Sequence, residues 1–239
     1  MKHSKKVWYA PNKHEAYGEE EIKAVEQCLR DGWLAGFGPR SVEFEEKIAK
    51  EFGKKYGVFV NSGSSACLLS LAALDLPKGT KVLTPALTFS TTLAPIIQLG
   101  YVPVFIDSNL TSYVPDIDDI IEAITDDIKV IMIPNLIGNK PNWKKLKDEL
   151  FKINRSDIYL IEDSADTVTY TKESDVSTTS FYASHVITAG GMGGMVMFND
   201  EKHVKRALMY RDWGRIGDNS ENMDERFAHN VDGLPYDYK

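Results

Sequence analysis

The chain has 239 residues, 43% of them hydrophobic and 26% charged, enough to bury one large core and hint at a second, smaller unit. Its net charge of −7 argues against nucleic acid as a partner, because phosphate binding needs a basic face, and two cysteines without CxxC spacing argue against a disulfide scaffold or a cysteine-ligated zinc site. No apolar h-region follows the basic start, and no apolar run is long enough to cross a bilayer, so a cytoplasmic protein with no membrane partner is expected.

Residues 1–16 form an N-terminal arm ahead of the first periodic segment. Ile22, Val25 and Leu29 then carry the spacing of an amphipathic helix over 19–29. A glycine-broken loop spans 32–38. The next helix takes Ser41 as its N-cap, shows Phe44, Ile48 and Phe52 on one face, and closes at Gly53. Strand 58–60 leads into helix 65–74, which Pro77 ends. Strand 81–84, helix 91–99, strand 102–106 and helix 117–124 follow. Strand 129–133, helix 143–152 and strand 158–161 continue the pattern. Strands 177–181 and 194–198 flank a loop, and a helix covers 201–210. Apolar strands alternating with helices predict an α/β fold whose mainly parallel sheet is covered on both faces. The polar stretch 211–239 has three glycines and no predicted element, and reads as the entry to another domain.

Four short segments carry chemistry. Asn61-Ser62-Gly63-Ser64-Ser65-Ala66 joins a strand to a helix, where free N–H groups and serine hydroxyls make an anion site. It reads equally as a capped helix start. The apolar strand ending in Ile161-Glu162-Asp163 delivers Asp163 to the sheet edge where α/β folds bind ligands, although an acidic N-cap has the same pattern. Phe89 follows another strand end, placed to lie on a planar ring or to fill the core. Finally, Ser180-Phe181-Tyr182-Ala183-Ser184-His185 precedes the run Gly190-Gly191-Met192-Gly193-Gly194.

In that order, the four segments resemble the DegT/DnrJ/EryC1/StrS sugar aminotransferases, together with Tyr17-Gly18-Glu19-Glu20-Glu21-Ile22 near the start and Arg211-Asp212-Trp213-Gly214-Arg215 near the end. The resemblance implies an aspartate-aminotransferase-like large domain over 17–210 that binds pyridoxal or pyridoxamine phosphate, with 211–239 beginning a C-terminal small domain otherwise missing. It implies that Gly63, Ser64, Ser65 and Ser180 hold the phosphate, Phe89 stacks on the ring, and Asp163 pairs with the ring nitrogen. His185 stands where relatives carry the lysine that binds the cofactor covalently. Imidazole cannot form that bond but can move protons.

Gly138-Asn139, Glu162-Asp163-Ser164-Ala165-Asp166 and His185 look most like the branch that dehydrates nucleotide-linked 4-keto-6-deoxyhexoses at carbon 3. The expectations are therefore a lyase, a nucleotide-sugar substrate, an amino donor such as glutamate, and a homodimer. An ordinary aminotransferase and a non-catalytic cofactor- or sugar-binding paralogue are the alternatives. One dehydratase subtype carries an iron–sulfur cluster on cysteines after the Arg-Asp-Trp-Gly-Arg run; residues 216–223 contain none, so no cluster is expected. The glycine run is one residue longer than is usual in the family, with Met192 in place of a glutamate, which predicts some displacement of His185.

Overall fold

A computed structural model describes residues 17–33 and 38–214. The N-terminal arm, most of the 32–38 loop and the cysteine-free stretch 216–223 lie outside the described residues.

Seven strands form one sheet: β1 (Tyr56–Val60), β2 (Lys81–Pro85), β3 (Val102–Ile106), β4 (Ile128–Pro134), β5 (Tyr159–Asp163), β6 (Val176–Ser180) and β7 (Gly194–Phe198). Their spatial order is β1-β7-β6-β5-β4-β2-β3. Pairing is parallel except at β7, which runs antiparallel to both β1 and β6. Six strands therefore end at one edge of the sheet, and β7 begins there.

The helices are α1 (Glu19–Asp31), α2 (Pro39–Glu51), α3 (Gly63–Ala72), α4 (Ser90–Gln98), α5 (Ile117–Glu122), α6 (Trp143–Lys152) and α7 (Glu201–Arg211). Strand periodicity sorts neighbouring apolar residues onto opposite faces. Val82, Val130 and Ile161 pack with Leu71 of α3, Ile96 of α4 and Ala207 of α7. Leu83, Ile131 and Leu160 pack with Ile120 of α5 and Leu146 of α6. Met195 and Met197 receive Ile48 of α2 and Phe52, which follows it. Both faces are apolar, which is why the strands show no alternation in sequence.

Three expectations need correction. Helix α2 is capped by Gly38, not Ser41, because Pro39 occupies the first helical position, where a missing N–H costs nothing. Helix α3 starts at Gly63, two residues before the predicted start at 65, because the Ser62 hydroxyl accepts the Ser65 N–H at 3.1 Å and nucleates the turn. Helix α5 stops at Glu122, short of Ile124. Helix α1 forms where its periodicity places it, yet buries none of its residues.

Candidate active site

The site grows from close backbone approach at the shared strand edge. A Cβ on Gly194 would lie 2.3 Å from the Ser62 carbonyl, and one on Gly63 would lie 2.7 Å from Ser180 Cβ. Glycine at both positions lets the β1–α3 turn, the end of β6 and the start of β7 touch. The contact is registered by a bridge between Ser62 and Gly193. The first N–H groups of α3 have no intrahelical acceptor and, with the helix dipole, form an anion cup.

A cavity of about 550 Å³ opens over this cup. Gly63, Ser64, Phe89, Asp163, Ser180 and His185 all line it. Ser65 is the candidate that the structure does not bring in. Its hydroxyl receives the Ser62 hydroxyl's hydrogen bond at 3.1 Å, and its side chain lines a separate cavity with Leu69 and Tyr101. Ser65 thus supports the turn through Ser62.

Asp163 ends β5 with its side chain on the α3 and α4 side. Thr92 Oγ1 donates to Oδ2 at 2.7 Å and Thr178 Oγ1 to Oδ1 at 3.2 Å. Burial pushes its carboxyl above the ordinary aspartate range, and these hydrogen bonds oppose the shift. Cys67 Sγ sits 3.5 Å from Thr178 Oγ1, and burial likewise pushes the thiol upward. Sequence reasoning missed Cys67, Thr92 and Thr178. Only Cys67 left a local trace, standing four residues after Gly63 on one face of α3.

Phe89 caps α4 and is 69% exposed at the cavity rim, so a face of its ring is available for stacking. Thr88 Oγ1, beside it, is buried without a hydrogen-bond partner.

The His185 loop is held from within. The His185 N–H donates to the Tyr182 carbonyl at 3.0 Å, and Thr188 Oγ1 donates to the Phe181 carbonyl at 3.0 Å. Gly190, Gly191 and Gly193 adopt φ of 65°, 98° and 124°, a left-handed region that glycine enters without strain, and His185 and Met192 both line the cavity. His185 Nδ1 is buried with no partner, and Nε2 lies 3.7 Å from Asp166 Oδ1. No lysine is among the described residues that line the cavity.

Adjacent Glu162 points to the opposite side of the sheet, fully buried. Asn135 Nδ2 donates to it at 2.7 Å, Thr171 Oγ1 at 2.8 Å and Ser177 Oγ at 2.9 Å. Lys54, itself buried, donates to the Thr171 carbonyl. No described helix is long and apolar enough to cross a membrane.

The sequence profile of the DegT/DnrJ/EryC1/StrS aminotransferase family matches residues 15–238. The lipopolysaccharide biosynthesis protein RfbH of Salmonella typhimurium is 34% identical over 250 residues, covering 96% of this chain and 56% of that protein. A GDP-4-keto-6-deoxy-D-mannose 3-dehydratase of Escherichia coli is 34% identical over 212 residues, covering 82% of this chain and 53% of that one. Among solved structures, a histidine-to-asparagine variant of GDP-4-keto-6-deoxymannose-3-dehydratase (ColD) with bound GDP-perosamine superposes with a TM-score of 0.74 at 28% identity, over 92% of this chain and 62% of that chain. The chain spans about half the length of the curated relatives it matches.

Proposed function

The chain belongs to the DegT/DnrJ/EryC1/StrS aminotransferase family, and on that premise we propose that it carries the cofactor site of a pyridoxal/pyridoxamine phosphate-dependent lyase. The substrate is a nucleotide-linked 4-keto-6-deoxyhexose that loses its C3 hydroxyl. The observation that carries this reading is the cavity lining: His185 is there, and no lysine is among the described residues that line it.

The residues present fit the cofactor. The α3 cup and the hydroxyls of Ser64 and Ser180 suit a phosphate, and the glycines at 63 and 194 leave no room there for a larger side chain. Phe89 offers a face to a flat ring. Burial alone drives Asp163 toward its neutral form, so a cationic ring nitrogen beside it would restore the carboxylate and be held protonated in return.

When bound, pyridoxamine phosphate supplies an amine that condenses with the sugar ketone and a ring that accepts electrons. His185 moves a proton with its ring nitrogen at this centre, and having no primary amine it cannot hold the cofactor covalently. Glutamate is the proposed amino donor, a homodimer the proposed assembly and the cytoplasm the proposed compartment. The family's aminotransferase reaction is the competing reading.

Two measurements separate them. Borohydride treatment of the cofactor-loaded protein should leave no covalent adduct, whereas a reduced lysine adduct would sink the lysine-free reading. With glutamate and the 4-keto sugar nucleotide, the protein carrying this chain should release a 3-deoxy sugar and ammonia. An amino sugar would assign it to the aminotransferases instead.

A further inference from the structure

We propose that Thr92 is a positioning residue that clamps the Asp163 carboxylate to the first turn of α4 and so biases it toward the anion that a cationic ring nitrogen would meet. The proposal rests on the reading of Asp163 as the partner of the cofactor ring, and it identifies what prepares that partner.

Thr92 Oγ1 donates to Asp163 Oδ2 at 2.7 Å, the short distance of a hydrogen bond to a charged acceptor. Thr178 Oγ1 reaches Oδ1 at the longer distance of 3.2 Å. Thr92 is fully buried and is not among the described residues that line the cavity, so it acts through Asp163. Its backbone N–H bonds the Phe89 carbonyl at 3.0 Å. One residue therefore grips both Phe89, which caps α4 with an exposed ring, and Asp163, which ends β5 and lies 71 residues from Thr92 in the chain. Phe89 and Asp163 both line the cavity. Thr92 thus sets the carboxylate against the same helix start that carries the stacking ring.

Burial disfavours a carboxylate, and a donated O–H favours it. The groups that face Asp163 come from several elements: Thr92 from α4, Cys67 from α3, Thr178 from β6, and the Ala165 backbone N–H just past the strand end. Burial pushes the Cys67 thiol upward, which keeps it an uncharged donor. Asp166 and His185 line the same cavity, and no lysine or arginine is among its described lining residues. The opposition to burial thus comes from neutral donors, and the Thr92 hydroxyl makes a shorter bond than that of Thr178. Where a carboxyl and a pyridine nitrogen share one proton, a donor to the carboxylate moves that proton toward the ring. Thr92 thereby favours the protonated ring, the form that draws electrons.

The cofactor-free protein gives the direct test. Carbon-13 spectra of the chain labelled at its aspartate carboxyl carbons are recorded against pH, and Asp163 is assigned by the signal lost in Asp163→Asn. Thr92→Val should bind the Asp163 proton about tenfold more tightly than the wild type, the worth of a hydrogen bond to a charged group. Thr92→Ser should restore the wild-type titration, and Thr178→Val should move it less than Thr92→Val does. An unchanged titration in Thr92→Val, or a larger change in Thr178→Val, overturns the proposal. Should Thr92→Val fail to fold, Thr92→Ala removes the same hydroxyl and is read in the same way. With nitrogen-15-labelled pyridoxal phosphate bound, the protonated fraction of the ring nitrogen should fall in Thr92→Val and return in Thr92→Ser. A shifted Asp163 titration in a protein that binds no pyridoxal phosphate would reject the cofactor site and leave the clamp standing.

Discussion

Glu162 and Asp163 are consecutive buried carboxyl groups that end on opposite sides of one strand. Glu162 accepts from Asn135, Thr171, Ser174 and Ser177, with Lys54 one hydrogen bond away through Thr171, and is fully buried. Asp163 accepts from Thr92, Thr178, Cys67 and the Ala165 backbone, and opens onto about 550 Å³ of space. The first arrangement ties the β4, β5 and β6 ends together. The second leaves a buried carboxyl facing open space, where the proposed cofactor's ring nitrogen would meet it. Both carboxyl groups are buried and well supplied with donors, and the cavity beside Asp163 is what tells them apart.

Breaking the saturated side should have the largest effect. Glu162→Leu removes the acceptor of four buried hydrogen bonds, from Asn135, Thr171, Ser174 and Ser177, and the charge that Lys54 feels, and should cost about 3–5 kcal/mol of stability, read as a lower midpoint in chemical denaturation. A loss no greater than that of a surface substitution would mean that the network is ornamental.

Lys54 sharpens the same side through pH. Burial lowers its pKa from 10.5 to about 8, against the pull of Glu162. The unfolded chain therefore holds more protons between about 8 and 10.5, so stability rises with pH across that window. Below it, the penalty for the buried charge is fully present. The slope should approach about 1 kcal/mol per pH unit, and Lys54→Met should remove it. Unfolding free energies of the two proteins at pH 7 and pH 9.5 decide.

The cavity-facing side should respond least in stability and most in ligand binding. Because burial raises the Asp163 pKa, the native state holds that proton more tightly than the unfolded chain. The group's stabilising contribution is present below the ordinary aspartate range and is lost as pH rises through the folded value. Asp163→Asn should therefore change neutral-pH stability by less than about 1 kcal/mol, if anything upward, while pyridoxal phosphate binds at least about tenfold more weakly. A variant as destabilised as Glu162→Leu would erase the distinction between the two carboxyl groups.

Much of this was legible along the chain. The strand–helix alternation placed Asp163, Phe89 and the α3 turn at strand ends, because apolar runs and glycine stops are local signals. The Gly38 cap was hidden by a nearby serine with equal capping power. The reversed course of β7 was not readable, since an apolar strand shows no direction when both its faces are covered. Thr92 and Thr178 lie 71 and 15 residues from Asp163, and nothing in their local pattern marks them as its donors.

The order of residues by itself determined the α/β class, the family and the histidine standing where a lysine is expected, because each is written in short-range pattern and residue identity. Tertiary structure alone decided that Ser65 lines a neighbouring cavity and that Glu162 is sealed while Asp163 is open. It alone placed Asp166 beside the imidazole. Those outcomes depend on which distant segments meet at the sheet edge, and there the contact of Gly63 with Ser180 and of Gly194 with Ser62 sets the geometry that every side chain in the site inherits.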